Sequence, residues 1–231
     1  MSETENPSSD AVRQLRFERP PGATSILLVR HGETVPARED APFRLVGGQG
    51  DPELDPRGRA QADRIADRLA AFRNDEKIDA IYVTNLRRTA ETAAPLVQCL
   101  GIEPAVESRL REVFLGEWEG GLYRIRVLEN GPIAQRMLAE ERWEVIPGAE
   151  PDDEFARRVK DGIDDIASRH PGQTVAVFTH GGVIGRALAQ ASGSRPFAFL
   201  GADNGSISHL VVVGGRWVVR SYNDTAHLEE R

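Results

Sequence analysis

Two segments far apart in the chain share one design. ILLVRHG (Ile26–Gly32) and VAVFTHGG (Val175–Gly182) each run from a short apolar stretch through a polar residue to a histidine and a glycine. Short apolar runs rich in β-branched residues are the pattern of strands buried on both faces. In open α/β sheets, ligands bind beyond the carboxyl ends of the strands. If the two strands are neighbours, His31 and His180 point into one crevice. The adjacent glycines let backbone amides approach a ligand, and Gly181 opens a helix whose N-terminus adds partial positive charge. Arg30 stands directly beside His31.

The remaining segments supply strands and helices in alternation. Ser25–Val29 reads as the first strand, and 35–54 as a loop. Asp55-Pro56 reads as an N-cap followed by proline at the first helical position, with Ile65, Leu69 and Phe72 on one helix face. Ile78–Val83 is a second strand. Thr84 or Asn85 is expected to cap the next helix, whose apolar face is Leu86, Ala90, Ala93 and Val97, and Pro95 is expected to bend or shorten it. Residues 100–151 predict a Glu- and Gly-rich turn, a helix near 123–142 and a loop. A helix follows from Asp152 to about Arg169 with Phe155, Val159, Ile163 and Ile166 inside. Thr174–Thr179 is a third strand, and 206–222 a hairpin turning at Gly214-Gly215. The alternation predicts an α/β sheet with helices on both faces. Residues 1–20 are expected to form a disordered tail, and 21–231 a single domain.

The formal charge of −7 argues against a nucleic-acid coat and against an anionic membrane surface. No apolar run approaches the length of a membrane span. The N-terminus, MSETENPSSD, lacks the basic and apolar regions of a secretory signal. The one cysteine, Cys99, cannot form an internal disulfide and fits a reducing, cytoplasmic setting. Of 29 lysines and arginines only Lys77 and Lys160 are lysine. Codon bias accounts for this as well as selection for bidentate anion grip does.

A buried, hydrogen-bonded histidine is the plain reading of either His31 or His180 alone. Their duplicated setting raises metal ligation or anion binding instead. No histidine pair has metal-ligand spacing, and no carboxylate sits in a zinc-hydrolase pattern. Arg88, in the first turn after the second strand, starts at the same sheet edge. Two guanidiniums, two imidazoles and a helix end make an anion clamp that would repel a cation. Among Glu107, Glu112, Glu117 and Glu119, the residues alone do not single out one carboxylate.

These segments, in order, resemble the histidine phosphatase superfamily, in its phosphoglycerate-mutase-like branch 1. LVRHGET matches its R-H-G signature. DPELDPRGRAQA resembles its loop-then-helix segment, YVTNLRRTAETA its S-x-L-x-R-A-x-x-T-A motif, and RLREVFLGEWEG its L-x-E-x-x-x-G-x-W-E-G segment. VFTHGGVI supplies the second histidine and SYNDTAHL a common ending. The resemblance implies a three-layer αβα sandwich with a mostly parallel central sheet, and a lid-like region over residues 100–150. It implies that His31 is the nucleophile and becomes phosphohistidine, that Arg30, Arg88 and His180 hold the phosphoryl oxygens, and that Glu112 is the proton donor. The implied enzyme is a metal-independent phosphomonoester hydrolase that needs no cofactor and acts on a small phosphorylated metabolite. A homodimer is compatible with this reading.

The sequence departs from the family at one phosphate contact. Many relatives carry Trp-Asn shortly after R-H-G, and here Ala37 falls at the asparagine position. Thr34 or Arg38 is expected to substitute. Two alternatives remain. A cofactor-dependent phosphoglycerate mutase needs a basic lid. Here Val113 follows Glu112 and no lysine occurs between Lys77 and Lys160, which leaves Arg124, Arg126, Arg136 and Arg142 to compensate. A non-catalytic module that binds a phosphorylated ligand is the alternative outside enzymes.

Overall fold

A computed structural model describes residues 14–72 and 76–229 of the chain. Its centre is a six-stranded sheet. Strands β1 (Thr24–Arg30), β4 (Ala80–Val83), β5 (Ala105–Val106) and β6 (Thr174–Thr179) are parallel, and β7 (Ile207–Val213) and β8 (Arg216–Asp224) form an antiparallel hairpin, in the order β5-β4-β6-β1-β7-β8. The two-residue strands β2 (Leu45–Val46) and β3 (Gln49–Gly50) form a separate small hairpin within the expected loop.

Alternation along β1 sorts its side chains onto two cores. Leu27 and Val29 face helices α1 (Pro56–Ala70) and α2 (Arg87–Leu100), packing with Ile65, Leu69, Ala93 and Leu96. Ile26 and Leu28 face helices α5 (Asp152–Arg169) and α6 (Gly181–Ser192), packing with Phe155, Val159, Ile163, Ile184 and Leu188. The result is the expected three-layer αβα sandwich with a mostly parallel sheet. No helix among the described residues is long and apolar enough to cross a membrane.

Several local expectations hold. Asp55 accepts a bond from the Gly58 amide at 2.7 Å, with Pro56 opening α1. Helix α5 and strand β6 have the predicted spans.

Others are corrected. The expected helix near 123–142 is two, α3 (Leu122–Glu129) and α4 (Pro132–Glu140). They are broken at Asn130, whose φ of 51° is left-handed, ahead of Gly131-Pro132. The cap position of α2 is Leu86, not Thr84 or Asn85. Its inner face is also rotated: Ala90 is exposed while Thr89, Thr92 and Leu96 are buried. The two threonines bury their hydroxyls by donating to the carbonyls of Leu86 and Arg88, so the polar side turns inward and carries Arg88 with it. Helix α2 runs unbroken past Pro95 to Leu100, because one missing backbone bond is outweighed by the packing of Ala93 and Leu96 on either side.

Residues 1–13 of the expected tail lie outside the described residues. Residues 14–20 have no regular secondary structure. Arg19 donates to the carbonyls of Gly172 and Gln173 at 2.9 and 3.2 Å, and the Arg220 guanidinium stands 3.7 Å over the Phe17 ring.

Candidate active site

Strand register brings the two histidines together. Arg30 of β1 is the parallel partner of Thr179 of β6, so the next residues, His31 and His180, leave the sheet side by side. Their ring centroids are 5.3 Å apart, with the planes inclined at 62°. Both side chains are buried. A third loop closes on them: Asn204 Nδ2 donates to the carbonyl of His31 at 2.9 Å and to that of Gly32 at 3.3 Å.

The His31 ring is fixed by its own chain. Nδ1 lies 2.8 Å from the Gly32 carbonyl oxygen, an acceptor only, so Nδ1 carries the proton and Nε2 keeps a free lone pair. Burial, then the charges of Arg88 and Arg30, press the His31 pKa well below the usual histidine value, against the Gly32 bond. Burial and Arg88 do the same to His180. His180 Nε2 is 3.0 Å from Thr84 Oγ1, and its Nδ1 is buried with no partner. Thr84 is therefore engaged by the second histidine rather than by a helix cap, although it also accepts from the Leu86 amide at 3.3 Å.

Arg30, His31, Arg88 and Glu112 line one cavity of about 160 Å³. Arg88 donates to the Gly50 carbonyl at 2.9 Å, and Arg30 to the Ala202 carbonyl. Among the described residues neither is paired with a carboxylate, and the buried Arg30 Nε has no partner. Burial lowers both arginine pKa values, that of Arg88 to about 10, so both remain cationic at neutral pH. His180 stands behind His31 and does not itself line the cavity, so the two orphaned nitrogens, Arg30 Nε and His180 Nδ1, are buried donors or acceptors at one strand edge where a tetrahedral anion would find partners.

Glu112 is held from three sides. Its oxygens accept from the amides of Val113 at 3.0 Å and Gly182 at 3.3 Å. Its carbonyl accepts from Gln49 Nε2 at 2.8 Å and Arg158 at 2.9 Å. A β-carbon at Gly182 would lie 2.5 Å from Glu112 Oε1, so the second glycine of the H-G-G segment is what admits this carboxylate. Of the other three candidates, Glu107 pairs with Arg109, and Glu117 does not line the cavity. Glu119 lines it as Glu112 does; its oxygens also accept from backbone amides, those of Gly50 and Leu115, and burial raises its pKa.

The expected substrate contacts divide. Gly181 lies against Arg30, where a β-carbon would be 3.4 Å from Arg30 Nε. Thr34 is buried and accepts from Arg124 Nη2 at 2.6 Å. Arg38 is not brought in: it is exposed, forks onto Asp40 at 3.0 and 3.1 Å, and does not line the cavity. Arg124, Gln49, Asn204 and Arg158 belong to the site or its frame and carry no motif of their own. The only sequence hint was that Arg124 sits among the arginines of the lid. Among the described residues, no three His, Cys, Asp or Glu side chains gather as a metal ion would require.

Comparison with known proteins agrees with this geometry. Residues 26–225 match the profile of the Histidine phosphatase superfamily (branch 1). The chain is 33% identical over 209 residues to phosphoglycerate mutase-like protein 4 of Arabidopsis thaliana, covering 89% of this chain and 87% of that one. It is 32% identical over 212 residues to a metal-independent phosphoserine phosphatase of the same plant, covering 89% and 83%. Among solved structures it is similar to a mycobacterial glucosyl-3-phosphoglycerate phosphatase, with a TM-score of 0.72 and 25% identity over 88% of this chain and all of that one. The chain therefore belongs to branch 1 of the histidine phosphatase superfamily and is an enzyme of the histidine-phosphatase type.

Proposed function

We propose that the chain hydrolyses phosphomonoesters of small metabolites through a phosphohistidine at His31, without a metal. The observation that carries this reading is the His31 ring: Nδ1 is tied to Gly32, and Nε2 is left free beside two guanidiniums that have no carboxylate partner among the described residues.

In the first step Nε2 attacks phosphorus and the ester P–O bond breaks. The leaving oxygen takes its electron pair and a proton from Glu112. Arg30, Arg88 and His180 hold the equatorial oxygens, where charge concentrates in flight. In the second step water attacks phosphorus and gives a proton to Glu112, and the P–N bond breaks with its electron pair returning to Nε2. Inorganic phosphate leaves. The second relative named above is called a phosphoserine phosphatase, and a phosphorylated hydroxy or amino acid of that size suits this cavity. A single exposed thiol, Cys99, suits the cytoplasm, and a homodimer stays within this reading.

The lid favours hydrolysis over mutase chemistry. Arg126 is paired with Glu39 and Glu129, Arg136 with Glu140, and Arg142 with Glu144, all on the exposed side. Of the four lid arginines only Arg124 has no carboxylate partner among the described residues, too few for a second phosphoryl group. Rapid-quench labelling with a 32P-phosphomonoester is expected to place acid-labile phosphate on His31, with neither label nor turnover in a folded His31→Ala variant. Label elsewhere, or turnover without His31, would overturn the reading. Conversion of 3-phosphoglycerate to its isomer only with added 2,3-bisphosphoglycerate, without free phosphate, would assign the mutase instead. Ligand binding with no turnover of any phosphomonoester would assign a binding module.

A further inference from the structure

The geometry points to Arg124 as a third guanidinium on the phosphoryl group itself, braced by Thr34 and filling the place that Ala37 leaves open. The inference rests on the phosphate-site reading above and extends it to a residue outside every shared motif.

Arg124 differs from its neighbours in the lid. Arg126, Arg136 and Arg142 each hold a carboxylate. Arg124 sits one turn into α3 and makes its bonds inward, to Thr34 Oγ1 at 2.6 Å and to the Val35 carbonyl at 3.2 Å. No carboxylate of the described residues pairs with it. The residue as a whole is exposed, but its charged end lines the cavity that holds His31, Arg30 and Arg88, and loss of solvent and the Arg30 charge lower its pKa. Its own charge presses on His31 and Arg88 in turn. Three guanidiniums converge on one small space, faced there by the carboxylates of Glu112 and Glu119, and an anion entering it gains from all three.

The bracing says which part of the ligand it meets. Thr34 and Val35 follow His31 by three and four residues, so Arg124 is pinned to the loop that carries the nucleophile rather than to the outer lid. The Phe43 ring, 5.4 Å from its guanidinium carbon, closes the other side. Position 37 faces the same helix start: a β-carbon at Gly121 would lie 3.0 Å from Ala37 Cβ. A large side chain at 37 and helix α3 in its present place exclude one another. The short alanine makes room for the helix, and the helix brings an arginine. Two of the five guanidinium N–H groups are used on Thr34 and Val35, which leaves three for phosphoryl oxygens.

Calorimetric titration of the full chain with inorganic phosphate tests this without needing turnover. Arg124→Gln is expected to weaken phosphate binding about tenfold to a hundredfold, the range for one charge-assisted contact. Arg124→Lys should restore only part of the loss, since an ammonium cannot span Thr34, Val35 and a ligand together. Thr34→Val, with Arg124 intact but unbraced, should weaken binding about threefold to tenfold. Circular dichroism melts confirm that each variant is folded. Unchanged phosphate affinity in Arg124→Gln overturns the inference. That includes the outcome in which this variant weakens only 3-phosphoglycerate, because Arg124 would then hold the organic part of the substrate. Phosphate binding that depends on Arg124, in a chain that never forms phosphohistidine, would sink the hydrolase reading and leave this one standing.

Discussion

Gly182 donates its amide to Glu112 Oε2 at 3.3 Å, while a β-carbon on the same residue would come within 2.5 Å of Glu112 Oε1. The contact that orients the carboxylate and the space that admits it are thus one residue. Gly182→Ala should displace Glu112 while leaving His31 in place. Turnover of an alkyl phosphomonoester is expected to fall about 100-fold, the low end of what a positioned general acid contributes. Turnover of p-nitrophenyl phosphate, whose leaving group needs little protonation, should fall far less. Equal losses would show that Glu112 is not the proton donor.

Arg158 grips the chain that carries Glu112. It donates to the carbonyls of Arg109 at 2.5 Å, Arg111 at 2.7 Å and Glu112 at 2.9 Å, and pairs with the half-buried Glu150 at 2.6 Å. Arg158→Met leaves Glu150 without its cation and takes the Arg158 donor from the carbonyls of Arg109 and Arg111, while the Glu112 carbonyl keeps Gln49. The expected destabilisation is about 3 kcal/mol, typical of breaking a largely buried pair, read from urea unfolding. Adding Glu150→Gln to that variant should recover part of the loss.

The proposed mechanism has His31 attack as the neutral imidazole; with its pKa pressed well below the ordinary value, protonation should not limit the enzyme near pH 6.5. The acid limb of kcat/KM is expected well below that pH. Of the three arginine charges acting on the ring, those of Arg88, Arg30 and Arg124, Arg88→Gln removes the one with the largest effect and should move the limb toward higher pH. A limb at 6.5 in the parent enzyme would contradict the neutral buried ring.

Acid should also weaken the fold through His209. Burial, with the charges of Arg220 and Arg19, lowers its pKa to about 4, and its Nε2 lies 2.6 Å from Ser25 Oγ across the β1–β7 pair. Between about pH 4 and 6.5 the unfolded chain binds this proton and the folded chain does not. Stability contributed here is present above 6.5, is lost as pH falls through that window, and levels off below 4. His209→Gln should flatten the corresponding part of the stability profile measured by urea unfolding at pH 4.5, 5.5 and 7.

The parallel core was legible because strands buried on both faces, such as Val175–Phe178, write their burial as uninterrupted apolar runs, and because Asp55-Pro56 and the α5 spacing are local signals. On helix α2 the expected Leu86 and Ala93 are buried but Ala90 is exposed, because the inner face also takes Thr89 and Thr92, satisfied by bonds to their own backbone that hydrophobic spacing does not register. The meeting of His31 and His180 was visible at strand ends, where topology dictates direction. Arg124 was not, since its role comes from the break after Glu129 and the fit of Gly121 against Ala37, which are packing facts between segments distant in sequence. Arg38 is nearer His31 in the chain, but its neighbour Asp40 satisfies it outside the pocket.

The position of β1 between β6 and β7 has a consequence for synthesis. Its first possible sheet partner begins at Thr174 and its second at Ile207, so Ile26–Val29 leaves the ribosome with no strand to join. At roughly 5–20 residues per second, this greasy segment waits about 10–40 s before its neighbours emerge. The strand that delivers His31 to the site is therefore unpaired through most of synthesis, an apolar segment of the kind a chaperone grips.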